Sequence, residues 1–130
     1  MKQRKRYVQV GMGSRGWCYT EALVKTLKRT CELVGICDAN RGRLELANRK
    51  IKARLGGRPV PAFPDTEFDA MVRRLKPDAV VVTSVDCTHD RYVVRAMELG
   101  CDVVCEKPMT IDARRCQRIA DAVARTGRDL

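Results

Sequence analysis

Apolar residues recur along the chain with two periods that take turns. Short runs of alternating or uninterrupted β-branched residues are separated by longer stretches where apolar positions return every three or four residues. Residues 6–10 predict a first strand, and residues 14–28 a helix with Gly16, Thr20, Leu23 and Leu27 on one face. Residues 31–37 predict the second strand, ending at Asp38. The next helix turns Leu44, Ala47 and Ile51 inward, with Asn40 as its N-cap. Gly and Pro break the pattern at residues 55–59, and residues 60–63 predict a short third strand whose proline suits a sheet edge. Residues 66–69 match a capping box opening a helix with Phe68, Met71, Val72 and Leu75 inward. Residues 79–82 are apolar without alternation, as a central parallel strand covered on both faces requires. The helix after residues 83–90 carries Val93, Ala96 and Met97 on one face and is stopped by Gly100. Residues 102–105 predict a fifth strand. A last helix from Ile111 buries Cys116, Ile119, Ala120 and Val123, and Gly127 closes it.

Five strand–helix repeats with right-handed crossovers predict an α/β fold, a doubly wound parallel sheet ordered 3-2-1-4-5. Its switch point lies between strands one and four, where ligands bind outside the carboxyl strand ends. Residues 11–16, Asp38, residues 83–89 and Glu106-Lys107 all fall on that edge.

The first of these stretches is Gly11-Met12-Gly13-Ser14-Arg15-Gly16. In a strand–turn–helix setting each glycine has a task in gripping a dinucleotide. Gly11 allows the tight turn, Gly13 lets a pyrophosphate approach the backbone, and Gly16 lets the helix pack against the strand it left. Free N–H groups at the helix start would hold the anion. Asp38, 22 residues past Gly16, stands where a carboxylate accepts hydrogen bonds from a ribose.

At 130 residues the chain is expected to be one dinucleotide-binding domain, residues 1–130. It lacks an apolar run of eighteen residues and a signal-peptide pattern, so no membrane partner and a cytoplasmic location are expected. The formal charge of +10 raises the question of nucleic acid, yet the basic residues are scattered over helices and aromatics make up only 5%. These read as solvated faces, and no nucleic-acid partner is expected. The basic cluster at residues 2–6 is expected to be a frayed tail, and Trp17 to cover the domain edge. Seven cysteines form no C-x-x-C pair, and Cys37 and Cys105 lie in or at the ends of apolar runs. Cys101 and Cys105 flank a strand-like stretch. Buried reduced thiols and no metal site are expected.

Glu106-Lys107-Pro108 after an apolar strand, in register with the glycine turn and Asp38, resembles the glucose–fructose oxidoreductase / inositol dehydrogenase / MocA-like family. The resemblance spans residues 7–127 and is closest at residues 77–83, His89 and residues 96–108. It implies the Rossmann nucleotide-binding part of an NAD(P)-dependent oxidoreductase. Gly11, Gly13 and Gly16, with backbone N–H groups of Met12, Gly13, Ser14 and Arg15, would then bind the pyrophosphate. Asp38 would bind the adenosine ribose, and Thr83, Ser84, His89 and Glu106 would lie along the cofactor. Lys107 would be the catalytic residue, near both nicotinamide and substrate. The Lys107–Pro108 peptide would be cis, as in relatives of this kind. The loop departs from the family's frequent Thr-Pro-Asn-x-x-His: Ser84-Val85-Asp86-Cys87-Thr88-His89 lacks the proline and the asparagine.

The expected cofactor is NAD, because a carboxylate at position 38 repels a 2′-phosphate. Arg41 and Arg43 are placed to hold one, which keeps NADP as the alternative. The implied reaction moves a hydride between nicotinamide and a hydroxyl or carbonyl of a small sugar-like or polyol substrate. The family's C-terminal substrate domain, with its acid–base groups and its oligomer contacts, is expected to be missing from these 130 residues, leaving a chain that binds NAD with negligible turnover. Two other readings are an NAD-dependent glycosidase with a transient redox step and a non-catalytic NAD-binding or redox-sensing module.

Overall fold

The computed structural model describes residues 2–130. Five strands, β1 (Lys5–Val10), β2 (Cys31–Asp38), β3 (Ala62–Pro64), β4 (Ala79–Val82) and β5 (Asp102–Cys105), form one sheet in the order β3-β2-β1-β4-β5. Each neighbouring pair is parallel, so the expected doubly wound sheet is the observed one. Helices α1 (Trp17–Glu21) and α2 (Arg41–Leu55) cover one face, through a cluster built on Leu23, Ile36, Leu44, Ile51 and Val81. Helices α3 (Phe68–Leu75), α4 (His89–Glu98) and α5 (Ala113–Thr126) cover the other, where Val8, Val80 and Val82 meet Met71, Met97 and Ile119. Consecutive valines of β4 thus enter opposite cores, which is why that strand carries no polar position. Asn40 caps α2 as expected, its side chain accepting from the Arg43 N–H at 3.2 Å.

Several local expectations are corrected. The first helix begins at Trp17, not at residue 14, and after Glu21 it widens into a π-helical turn over Ala22–Thr26. The Leu27 N–H reaches back five residues to the Ala22 carbonyl, at 2.7 Å. One extra residue in that turn rotates the positions after it, so Leu23 is buried while Leu27 is left 45% exposed. The capping box does not form. Asp65–Glu67 make a 3₁₀ turn ahead of α3, and Glu67 at the N-cap has no side-chain cap bond. The third strand is displaced to Ala62–Pro64, at the predicted edge. The last helix starts at Ala113, capped by Asp112 onto the Arg115 N–H. Ile111 precedes it and is exposed, and Ala122 is buried where Ala120 was expected. An alanine is too small to announce its face.

The basic start is not frayed from Arg4 onward. Arg4 pairs with Glu32, Lys5 with Asp102, and the Arg6 guanidinium donates to the Leu75 carbonyl at 2.8 Å. Of the seven cysteines, all free, Cys37 and Cys101 are buried, but Cys18 and Cys87 are exposed and the rest half-buried. Among the described residues no helix is long and apolar enough to cross a membrane.

Candidate functional site

Three turns leave the sheet at one edge, and backbone bonds fix their register there. The Gly11 N–H donates to the Cys37 carbonyl at 2.8 Å, the Thr83 N–H to Val10 and the Glu106 N–H to Val82, both at 2.9 Å. The glycine turn, the end of β2, the turn after β4 and the Lys107 turn therefore share one rim.

The three glycines of the first turn stand in different surroundings. Gly11 sits at φ +89°, and a β-carbon there would run into the Thr83–Ser84 backbone. One on Gly16 would come within 2.8 Å of the Gly11 carbonyl and the Thr83 hydroxyl. One on Gly13 would meet only Arg43 Nη1, at 3.8 Å. Gly13 thus opens onto free space, while Gly16 packs against the turn itself.

Behind the turn lies a buried polar network that the sequence pattern did not mark. Gln9, in the middle of β1, is fully buried. Its amide donates to the Gly16 carbonyl at 2.8 Å and to the Thr83 hydroxyl at 3.1 Å, and accepts from the Thr20 hydroxyl at 2.9 Å. Thr83 in turn donates to the Gly11 carbonyl at 2.7 Å. Alternation within Val8-Gln9-Val10 reads Gln9 as facing solvent, but here both sheet faces are covered.

Asp38 is 6% exposed. One oxygen accepts from the Met12 N–H and the other from the Asn40 N–H, both at 2.7 Å. It therefore ties the glycine turn to the start of α2, and each oxygen keeps acceptor capacity for a further donor. A groove of about 820 Å³ runs along this rim. Of the expected site residues, Gly11, Gly13, Ser14, Arg15, Asp38, Thr83 and Ser84 line it. Met12 contributes its backbone to the Asp38 tie and Gly16 stands behind the turn.

Glu106 does not line the groove; it is joined through a cluster to Arg15, which does. Its Oε2 accepts from the Tyr19 hydroxyl at 2.7 Å and lies 3.2 Å from Arg15 Nε, while Oε1 accepts from the Lys107 N–H at 3.2 Å. The Tyr19 hydrogen bond, with the Lys107 N–H and Arg15, holds the Glu106 carboxyl below its ordinary value. The same bond pushes the Tyr19 hydroxyl up. Tyr19, three residues past the last glycine, lies outside any spacing rule.

His89 is 1% exposed, with Nδ1 2.8 Å from the Pro108 carbonyl and Nε2 2.9 Å from the Ser84 carbonyl. The ring is packed between the two turns rather than on the groove wall. A neutral imidazole has one N–H and can donate to only one of these carbonyls at a time. Its neighbour Asp90, 3% exposed, pairs with Arg118 at 2.9 Å and accepts from the Thr110 hydroxyl at 3.5 Å. The Lys107–Pro108 peptide is cis, as the resemblance implies. Lys107 itself is exposed. Among the described residues no group of three or more His, Cys, Asp or Glu is placed to hold a metal.

Residues 5–130 match the sequence profile described as "Oxidoreductase family, NAD-binding Rossmann fold". The chain is 31% identical over 123 residues to the protein YteT of Bacillus subtilis, covering 94% of this chain and 28% of that protein. It is 47% identical over 53 residues to an inositol 2-dehydrogenase of Klebsiella pneumoniae, covering 41% of this chain and 16% of the relative. The structure is similar, with a TM-score of 0.80 and 27% identity, to the WlbA dehydrogenase of Bordetella pertussis in complex with NADH and UDP-GlcNAcA, over 98% of this chain and 36% of that one. The chain spans less than a third of the length of YteT. Fold, rim and sequence agree, and the chain belongs to the oxidoreductase family with the NAD-binding Rossmann fold, the group that the Glu106-Lys107-Pro108 register resembles.

Proposed function

We propose that these residues form the cofactor-binding part of an NAD-dependent oxidoreductase that moves a hydride between nicotinamide and a hydroxyl or carbonyl of a polyol or sugar-like substrate. The observation that carries this reading is the shared rim. The glycine turn, Asp38 and the Glu106–Lys107 turn leave the sheet at the same end, joined by the Tyr19–Glu106 bond.

The residues present fit a dinucleotide. The space a Gly13 β-carbon would enter is free of protein on the groove side, and the groove beside it is large enough for an extended cofactor. Backbone N–H groups of residues 13–15 would hold the diphosphate, and Asp38 would accept from the adenosine ribose hydroxyls. Thr83 and Ser84 would support the nicotinamide half. When bound, the nicotinamide supplies the hydride chemistry. Lys107 would then donate from its ammonium to the reacting oxygen and stabilise negative charge as it develops. Glu106, anchored by Tyr19, orients the turn that carries Lys107. His89 acts through the Pro108 and Ser84 carbonyls as a positioning residue rather than by touching substrate. A reducing compartment such as the cytoplasm suits the seven free thiols.

NAD is favoured over NADP because Asp38 is braced by two backbone N–H groups and cannot easily withdraw from a 2′-phosphate. The test is calorimetric titration of NAD and NADP into the wild type and Asp38→Ala. NAD should bind the wild type more tightly, and Asp38→Ala should lose about tenfold or more in NAD affinity. Tighter NADP binding by the wild type would overturn the cofactor assignment.

A further inference from the structure

Arg15 is the one residue of the glycine turn whose side chain carries a charge, and that side chain is not needed where it lies. The side chain is 68% exposed, lines the groove, and pairs through Nε with Glu106 at 3.2 Å. Glu106 is only 11% exposed and is held independently by the Tyr19 hydroxyl and the Lys107 N–H. If Arg15 leaves, Glu106 keeps two hydrogen bonds and its place. The guanidinium end of the pair faces solvent, so water can replace its contact with Glu106 as it leaves.

We propose that the Arg15 side chain is an exchangeable anion ligand: it rests on Glu106 in the cofactor-free protein and transfers to the dinucleotide diphosphate on binding. The proposal rests on the cofactor-binding role of this rim, in which the diphosphate lies on the backbone of residues 13–15. A diphosphate seated there is within the reach of a residue of the same turn. It offers a guanidinium two anionic groups in place of a carboxylate that is already satisfied, and charge-assisted bonds to phosphate suit the planar fork of arginine. Arg15 then links the glycine turn to the Lys107 turn in one state and releases it in the other.

The test uses the full chain and three probes: NAD, ADP-ribose and adenosine. Arg15→Met keeps the aliphatic stem and removes the charge at an exposed position, and its melting temperature is measured alongside. Arg15→Met should bind NAD and ADP-ribose about fivefold or more weakly, bind adenosine unchanged, and show a flatter salt dependence for ADP-ribose. Glu106→Gln should bind ADP-ribose more tightly than the wild type, because the competing carboxylate is gone. That gain should vanish in the Arg15→Met background. Wild-type binding that Arg15→Met leaves unchanged would overturn the exchange while leaving the cofactor reading intact. So would a Glu106→Gln gain that persists without Arg15, which would mark simple repulsion through space. A wild type that binds neither NAD nor ADP-ribose would overturn the cofactor reading and this proposal together.

Discussion

A buried amide in a central strand is stable when each of its polar atoms finds a partner. Gln9 meets that condition with Gly16, Thr83 and Thr20. Gln9→Leu would remove the bridge between Gly16, Thr20 and Thr83, leaving the Thr20 hydroxyl only its 3.3 Å bond to the Gly16 carbonyl. The expected loss is about 1–3 kcal/mol in urea unfolding, with weaker NAD binding because the glycine turn loses its backing. Gly11→Ala should be worse on both counts, since φ +89° and the Thr83–Ser84 backbone both exclude a β-carbon. The Tyr19–Glu106 bond has a pH signature. The Glu106 carboxyl titrates below its ordinary value in the folded protein, chiefly because of the Tyr19 hydroxyl. Its contribution to stability is therefore complete above the unfolded-state value and is lost as pH falls through the depressed folded value. In Tyr19→Phe the Glu106 carboxyl carbon, followed by NMR, should titrate at higher pH than in the wild type; an unshifted titration would remove Tyr19 as the cause. At this scale the glycines were legible because backbone geometry selects them. Gln9 and Tyr19 were not, because Thr83 and Glu106, to which they bond, come from elements distant in the chain.

Elements are held to one another by side chains that periodicity does not weigh. Asn48, on α2, donates to the Val60 carbonyl and accepts from the Val60 N–H, both at 2.9 Å. It pins the segment that leads into the edge strand β3. Asn48→Ala should cost about 1–3 kcal/mol, read as a lower urea midpoint at unchanged slope, because two backbone groups lose their partner. The apolar stripes of α2 and α3 were readable from spacing, since regular helices repeat every 3.6 residues. The stripe of the first helix failed at Leu27 because the π-helical turn breaks that repeat. The capping box failed because a 3₁₀ turn takes the residues that would have formed it.

Across the whole molecule, burial separates the seven thiols in a way that labelling can read. Desolvation pushes Cys37 up to about 12 and Cys101 and Cys105 up to about 11. Cys18 and Cys87 lie on the surface. Native protein treated with iodoacetamide near pH 8 should be modified fast at Cys18 and Cys87, while Cys37 and Cys101 should react only after unfolding. Rapid labelling of Cys37 in the folded state would contradict the packing of β2. The strand–helix alternation, the sheet order and the glycine turn were determined by the sequence alone, because period, sterics and crossover handedness are local rules that admit few arrangements. Which polar groups face one another across the rim was decided only by the tertiary structure. Arg15 with Glu106, His89 with the Pro108 carbonyl and Gln9 with Thr83 each join segments separated along the chain. Such pairings depend on the twist and register of the assembled sheet, and no spacing along the chain encodes them.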